Sequence, residues 1–224
     1  MRCDGPDKVR PRHARLLPEG TTSRILCTKL IPSGIGGIHM PIHLSVFSCS
    51  WGWLGMAVSQ QGLMGLTLPQ PTEVAAWDRL YSAWPQGFPQ DGSVWPELQQ
   101  RLVGYLNGEP SNFSDVPLDL PDGPPFWRRV WELCATIPYG ETRSYADLAR
   151  EAGSPRAFRA VGGAMAANPV PIVIPCHRVI GTGGNLTGFG GGLEQKKRLL
   201  EMEARAVGKQ TDGEKLPSHL PVLA

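Results

Sequence analysis

Three prolines lie within one short apolar segment, which reads Asn-Pro-Val-Pro-Ile-Val-Ile-Pro-Cys-His-Arg-Val-Ile and runs from Asn168 to Ile180. Proline has no amide hydrogen to donate and fixes its own φ angle, so this spacing excludes a regular helix or a central strand. We therefore expect a rigid, irregular segment that holds Cys176 in a fixed place.

Cys176 is the residue of this segment with the clearest chemical potential. A lone buried cysteine is usually inert, but His177 and Arg178 follow it directly and predict an electropositive neighbourhood that lowers the thiol pKa below about 8.5. Adjacent side chains point opposite ways in extended backbone, so we expect a water to bridge Cys176 and His177. A Cys–His hydrolase would also need an orienting Asn or Asp, and Asn168 is the nearest candidate.

Charge and cysteine content limit the possible partners. The five cysteines are widely spaced and form no C-x-x-C pair, so we expect neither a disulfide framework nor a zinc site. The formal net charge is +2, from 22 Lys and Arg against 20 Asp and Glu. Any contact with nucleic acid must then be local, made by a few arginines rather than by a general basic field.

Patterned sequence begins at Met40. Residues 1–39 mix Arg, Pro, Gly and Thr without a period, and we interpret them as a disordered extension or a mis-annotated start; residues 208–224 are interpreted as a flexible tail. No apolar run reaches the roughly 18 residues of a membrane-spanning helix, and the chain start does not have the pattern of a signal peptide. We therefore expect a cytoplasmic protein.

Residues 40–115 predict a small α/β domain with an antiparallel sheet and no chemistry of its own. The strand-like and helical patterns follow one another along the chain, at Ile42–Phe47, Leu54–Val58, Gly62–Leu68, Thr72–Ala83 and Trp95–Leu106.

Residues 116–207 predict a second, mainly helical domain after a Pro- and Asp-rich linker. Its helical patterns are Phe126–Thr136, Tyr145–Glu151 capped by Thr142 or Ser144, Arg156–Ala167 with Ser154 as cap and Pro155 as first-turn proline, and Leu193–Arg205. Helix, tight turn, helix is typical of DNA-binding proteins, although plain helical hairpins show the same pattern.

The helix after Ser154 has a face of alanines and glycines around a single long side chain, Arg159. Two interior glycines cost a helix roughly 1 kcal/mol each relative to Ala, so something must approach its backbone closely. Close packing on a neighbouring helix is the more common reason for such a face. Insertion into a DNA minor groove is the alternative, with Arg159 entering the base stack as a nucleotide is flipped out.

These residues also resemble a known family. The resemblance is to the active-site signature of the O6-alkylguanine-DNA alkyltransferases, which are also called methylated-DNA–protein-cysteine methyltransferases. It is found at Arg159–Met165, Asn168-Pro169 and Ile174–Val179. The resemblance extends over residues 126–206, and residues 40–112 resemble the less distinctive N-terminal domain. It implies a ribonuclease H-like N-terminal domain and a winged helix-turn-helix C-terminal domain.

The resemblance implies catalytic roles for five residues. Cys176 would accept the alkyl group, His177 would be the base that reaches the thiol through water, and Glu203 would orient His177. Asn168 would brace the turn before the active-site segment, and Tyr145 would rotate the target phosphate and hydrogen-bond the flipped guanine. From the sequence alone, Glu203 is one acid on an amphipathic helix, where most such residues are solvated.

Further roles concern DNA and the substrate pocket. Arg159 would fill the gap in the base stack, and Ser154 and Thr182 would contact DNA. The pocket would be formed by Pro171, Val179, Phe189 and Gly190, with the carbonyls of Cys176 and Val179 on the base edge. Phe189 replaces a tyrosine of some members and Gly190–Gly192 is unusually glycine-rich, which predicts an apolar and more mobile wall.

The implied activity is DNA repair by a single, irreversible and stoichiometric transfer of an alkyl group from O6-alkylguanine to Cys176. O4-alkylthymine is a second candidate substrate. The partner would be double-stranded DNA approached through its minor groove, and the protein would act as a monomer with neither metal nor organic cofactor. Two rival classes are an alkyltransferase-like DNA binder, against which Cys176 argues, and an unrelated cysteine hydrolase.

Overall fold

The computed structural model describes residues 41–90 and 93–208. The interpretations of residues 1–39 as an extension and of 209–224 as a tail lie outside the described residues. The first half contains four strands and two helices: β1 (His43–Cys49), β2 (Gly52–Val58), β3 (Leu63–Leu66), α1 (Glu73–Ala83), β4 (Phe88–Pro89) and α2 (Pro96–Leu106).

The strands form one sheet in the order β3-β2-β1-β4. The first three pair antiparallel as the sequence predicts, but β4 pairs parallel to β1, so the expectation of a purely antiparallel sheet is wrong. Phe88 and Pro89, the two residues of β4, are too short a run to give an alternating pattern. The first half is nevertheless an α/β unit, as expected.

The sheet separates a large core from a small one. Leu54, Met56 and Val58 alternate along β2 and belong to the large core, while Ala57 packs with Leu80 of α1 on the other face. Glycine is required where α1 approaches, since a Cβ on Gly65 would lie 1.9 Å from the Trp84 ring.

The second half is mainly helical. Its elements are α3 (Pro125–Ala135), β5 (Arg143–Ser144), α4 (Tyr145–Glu151), α5 (Phe158–Ala166), a 3-10 turn (Cys176–Arg178), β6 (Val179–Ile180) and α6 (Leu193–Ala206). Strands β5 and β6 pair parallel as a two-stranded sheet. The helices predicted from the sequence are confirmed, with one shifted start.

The shifted start concerns α5. Ser154 does not cap it, because the carbonyl of Ser154 accepts the amide hydrogen of Ala157 at 2.8 Å in a separate turn. Ala157 takes the N-cap position and helical backbone begins at Phe158. The predicted cap of α4 is confirmed for Ser144, which forms a reciprocal capping box with Asp147.

Backbone hydrogen bonds tie both the linker and the active-site segment to the edge strand β3. The amide of Leu63 donates to the Pro117 carbonyl at 2.9 Å, and that of Leu66 donates to the Pro169 carbonyl at 2.9 Å. The large core draws buried residues from both halves, from Leu54 to Leu199. The division of this region at residues 115 and 116 stays a prediction.

No helix within the described ranges is both long and apolar enough to cross a membrane.

Candidate active site

The segment that carries Cys176 is held by a short network of its own. The side-chain amide of Asn168 donates to the Ile174 carbonyl at 2.8 Å, and its oxygen accepts from the Val170 amide at 3.1 Å. Between them Ile172 has a φ of 76°, which is uncommon for a β-branched residue and is found at no other non-glycine residue of the described ranges. The segment is therefore rigid, as its prolines predict.

Cys176, His177 and Arg178 form a 3-10 turn rather than extended backbone. The expectation that these neighbouring side chains point in opposite directions because the chain is extended is therefore wrong. The turn closes through the Arg178 amide, which donates to the Pro175 carbonyl at 2.8 Å. It directs His177 and Arg178 into the protein, where both are buried.

Glu203, on α6, is the buried acceptor at the centre of the site. Its side chain is 0% exposed, so the alternative of a solvated surface acid is excluded. Nε2 of His177 lies 2.9 Å from Oε1 of Glu203, and the guanidinium of Arg178 donates to both carboxylate oxygens at 2.9 to 3.2 Å. Oε2 also accepts the amide of Gly140 at 2.9 Å. Glu203 is thus a hydrogen-bond partner of His177, while Asn168 bonds to the neighbouring backbone.

Tyr105 completes this network from the first half of the chain. Its hydroxyl donates to Oε1 of Glu203 at 2.5 Å and lies 3.0 Å from Nε2 of His177, with the side chain fully buried. The sequence of this half predicts no chemistry of its own. A tyrosine among leucines at the buried end of α2 was the available signal, because a buried hydroxyl usually has a partner.

Burial and charge set the protonation states of this network. Burial alone would favour the neutral acid, but His177 and Arg178 hold the pKa of Glu203 well below its usual range. Burial lowers the pKa of His177, which Glu203 only partly offsets. His177 is therefore a neutral imidazole at pH 7, and its Nδ1 is buried without a hydrogen-bond partner among the described residues.

The pKa of the Cys176 thiol differs from the one expected from the sequence. Burial raises the pKa of Cys176, and the opposing effects of Asn168 and Lys196 do not cancel that shift. The predicted lowering is wrong because Arg178 is neutralised by Glu203 and His177 carries no charge. A thiol beside a neutral imidazole calls for a base that removes the proton as the bond forms.

Lys196 is a second buried group that the sequence analysis missed. Its Nζ donates to the carbonyls of Val179 at 2.6 Å and Thr187 at 3.1 Å, and it lies 5.6 Å from the centre of the Tyr145 ring. Burial lowers its pKa to about 8. The available signal was its position on α6, on the stripe shared with Leu199 and Glu203 at helical spacing.

An apolar pocket of about 740 Å³ opens above Cys176. Six of the residues singled out from the sequence line it: Tyr145, Arg159, Cys176, Thr182, Phe189 and Gly190. The other six lie outside the lining: Ser154, Asn168, Pro171, His177, Val179 and Glu203. Pro171 is buried in a bridge with Ile174, and the Val179 carbonyl faces Lys196.

The exposed face of α5 forms one wall of this pocket. Apart from its chain neighbours and the backbone of its own helix, no described atom lies within 4 Å of the place that a Cβ on Gly162 would take, and a Cβ on Gly163 would make an ordinary contact of 3.7 Å with Trp127. Close helix packing therefore does not explain Gly162. Phe158, also missed, is 47% exposed on this wall, and the Arg159 guanidinium lies 5.8 Å from its ring centre.

Tyr145, the first residue of α4, also lines the pocket. Burial raises the pKa of its hydroxyl, against the opposing effect of a hydrogen bond with Thr187. Tyr145 thus keeps its proton at neutral pH and can donate it in a hydrogen bond to a molecule in the pocket.

Known proteins are similar to this chain in sequence and in fold. A family model described as the DNA binding domain of 6-O-methylguanine DNA methyltransferase matches residues 125–205. A methylated-DNA–protein-cysteine methyltransferase of Mycolicibacterium paratuberculosis is 45% identical over 146 residues, which are 64% of this chain and 87% of that protein. One from Mycobacterium tuberculosis is 54% identical over 113 residues, 50% of this chain and 67% of that protein.

Solved structures agree with these relatives. The crystal structure of Mycobacterium tuberculosis O6-methylguanine methyltransferase superposes with a TM-score of 0.63 and 39% identity, covering 74% of this chain and 94% of that chain. A structure of the M. tuberculosis protein in complex with DNA gives the same TM-score and identity over 73% of this chain and 94% of that one. This chain belongs to the methylated-DNA–protein-cysteine methyltransferase family.

Proposed function

We propose that this protein repairs DNA by moving an alkyl group from the O6 atom of guanine onto Sγ of Cys176, once per molecule. The observation that carries the proposal is the position of Cys176 at the pocket, backed by the buried pair of His177 and Glu203. A hydrolase would need to release its product, whereas an alkyl thioether has no ordinary route back to a thiol. The protein is then a stoichiometric reagent, as the family name implies.

The thiol proton leaves through His177. Nδ1, which no described side chain contacts through a hydrogen bond, accepts it through one bridging water, while the Nε2 hydrogen stays bonded to Glu203. The imidazolium that forms lies beside a carboxylate whose pKa is held low, so the charge is balanced inside the protein.

The displacement itself is one in-line step. Sγ bonds to the alkyl carbon as the bond from that carbon to O6 breaks, and O6 becomes the carbonyl oxygen of guanine. The departing base gains one proton at its ring nitrogen, which balances the proton lost by the thiol. A hydrogen bond from the Tyr145 hydroxyl stabilises the charge that develops on the base.

DNA would dock on the exposed face of α5. The α4–turn–α5 unit with the β5–β6 sheet fits a winged helix-turn-helix, and its small residues allow a close approach to a minor groove. Arg159 would enter the stack as the alkylated nucleotide turns into the pocket. Thr182, which is exposed, and Ser154, in the turn before α5, would contact the DNA backbone.

Several finer assignments complete the proposal. The first half would be a ribonuclease H-like domain, the protein would act as a monomer in the cytoplasm, and alkylated thymine would be a second substrate. Pro171 and Val179 would act behind the pocket wall rather than on it, since neither side chain reaches the lining. The Val179 carbonyl would share its lone pairs between Lys196 and the base.

Intact mass spectrometry tests the proposal. One equivalent of duplex DNA with methylated guanine should add about 14 Da, the mass gained when a methyl group replaces the thiol hydrogen in a single transfer. Peptide mapping should place it on Cys176. Cys176→Ala should bind DNA without gaining mass, and Cys49→Ala, at a half-buried cysteine away from the pocket, should gain mass normally. An unchanged mass with intact DNA binding would contradict the repair assignment.

A further inference from the structure

Tyr105 reaches the site from a part of the chain that contributes nothing to the pocket. The residues that line the pocket all fall between positions 145 and 190, whereas Tyr105 lies near the end of α2. Its hydroxyl nevertheless contacts both members of the proton-accepting pair, His177 and Glu203. The side chain is 0% exposed, so neither contact competes with bulk water.

The hydrogen bonds among Tyr105, His177 and Glu203 restrict where their hydrogens can lie. Glu203 is ionised and can only accept, so the 2.5 Å contact takes the hydroxyl hydrogen of Tyr105. The oxygen of Tyr105 then has only lone pairs left to present to Nε2 of His177, at 3.0 Å. Two acceptors therefore face Nε2.

An imidazole nitrogen that faces two acceptors must carry the ring hydrogen, because a lone pair there would be repelled by both. In a neutral imidazole the other nitrogen is then bare. That nitrogen is Nδ1, the buried atom without a partner among the described residues.

We propose that Tyr105 is a positioning residue for alkyl transfer: its hydroxyl holds His177 in the tautomer with hydrogen on Nε2, so that the Nδ1 lone pair can take the thiol proton of Cys176. The inference rests on the proposed function for its meaning. No bond to Tyr105 forms or breaks, since its hydrogen stays with the phenol oxygen while the thiol proton moves to Nδ1. When His177 becomes an imidazolium, the same oxygen continues to accept from Nε2 and stabilises the charge.

The site offers a matched control in Tyr139. Its ring packs edge-on against Tyr105, with centroids 5.8 Å apart, and its hydroxyl is buried with no hydrogen-bond partner among the described residues. Tyr105→Phe and Tyr139→Phe remove the same atom from neighbouring rings. A difference between them reports the hydrogen bonds rather than the packing.

The first measurement is the single-turnover rate constant of transfer at saturating methylated duplex, with the dissociation constant for the same DNA measured separately. Tyr105→Phe should slow transfer about tenfold, the effect of losing one hydrogen bond to a charged group, and leave the dissociation constant unchanged. Tyr139→Phe should match the wild type. In a His177→Ala background, Tyr105→Phe should have no further effect, because its route of action is gone.

The second measurement does not depend on DNA. Alkylation of Cys176 by iodoacetamide, followed peptide by peptide, should slow in Tyr105→Phe and not in Tyr139→Phe. Nitrogen-15 spectra of the wild-type imidazole should show Nε2 protonated and Nδ1 bare, which tests the tautomer even if the variant fails to fold.

These outcomes separate the two claims. If the wild type transfers the alkyl group, four results would each overturn the role of Tyr105 and leave the repair function standing. They are a normal transfer rate in Tyr105→Phe, an equal loss of rate in both phenylalanine variants, a loss of rate in Tyr105→Phe that persists without His177, and a protonated Nδ1. Absence of transfer by the wild type, with iodoacetamide reactivity still dependent on Tyr105, would remove the repair function and retain the action of Tyr105 on the thiol.

Discussion

Oε1 of Glu203 accepts from Nε2 of His177 at 2.9 Å, and both side chains are fully buried. The same carboxylate neutralises Arg178, whose guanidinium is also bonded to the carbonyl of Ile137 at 2.6 Å. One carboxylate therefore binds both His177 and Arg178, and under the proposed function it would serve the chemistry through the first and the fold through the second. Its replacement should change both properties, and the two effects can be measured apart.

Glu203→Gln should reduce the free energy of unfolding by about 3–5 kcal/mol, because it leaves a buried guanidinium without its counter-charge. Glu201→Gln is the matched control, since that carboxylate is partly exposed on the same helix and meets Lys197 at 3.9 Å. It should cost less than about 1 kcal/mol. Urea unfolding at pH 7 measures both variants.

The pH dependence of stability gives the same residue a second test. The pKa of Glu203 is lower in the folded protein than its ordinary value of 4.5, so its contribution is fully present above pH 4.5 and is lost as the pH falls through the folded pKa. The wild type should lose stability below pH 4.5 more steeply than Glu203→Gln. Parallel curves for the two proteins would show that the fold does not lower the pKa of this carboxylate.

The acid limb of the transfer rate should belong to His177. Burial lowers the pKa of His177 from 6.5, so the imidazole stays able to accept a proton down to pH 6.5 and loses that ability at lower pH. The single-turnover rate constant should be level from pH 7.5 to about 6.5, the ordinary histidine pKa, and fall below it.

His177→Gln is the comparison for this profile. It should transfer slowly at every pH and lack the acid limb below pH 6.5. If the acid limb persists in this variant, the group that titrates is a pre-formed Cys176 thiolate, contrary to the raised thiol pKa.

Local sequence patterns predicted the helices and strands well, because these elements depend mainly on residues that are close together in the chain. The alternation along β2, the capping box of Ser144 with Asp147 and the prolines before Cys176 each fix the nearby backbone. Of the four residues assigned to the pocket through the family resemblance, Phe189 and Gly190 line the cavity, together with Tyr145, Arg159, Cys176 and Thr182. Their individual roles stay predictions.

Long-range relations could not be predicted in this way. Tyr105 and Glu203 are 98 positions apart, and no pattern along the chain indicates that their side chains meet. The thiol pKa was misjudged for the same reason, since the charge of Arg178 is cancelled by a carboxylate from a distant helix. Parallel pairing of β4 likewise depends on where the chain returns after α1.

Substitutions of Gly162 test whether DNA binds at the exposed face of α5. They should affect the stability of the protein and its affinity for DNA differently. Gly162→Ala should raise the free energy of unfolding by up to about 1 kcal/mol, because the site is within α5 and open to solvent. Gly162→Leu should also fold, yet weaken binding to methylated and unmethylated duplexes alike, since its bulk blocks the helix backbone rather than a base contact. Urea unfolding and fluorescence anisotropy measure the two effects. Unchanged affinity of Gly162→Leu would exclude this face as the DNA-binding surface.

Arg159 tests base flipping. Arg159→Ala should slow transfer from a methylated duplex more than transfer from single-stranded DNA or from the free base, because an extruded base leaves a gap in the duplex that costs a few kcal/mol of lost stacking. Arg156→Ala removes the same charge from an exposed site outside the pocket lining and should slow all three reactions little. The fluorescence of 2-aminopurine beside the lesion reports the flip directly. An equal loss on duplex and free base in Arg159→Ala would assign Arg159 to the fold of α5, through its contact with Phe158, and not to the base stack.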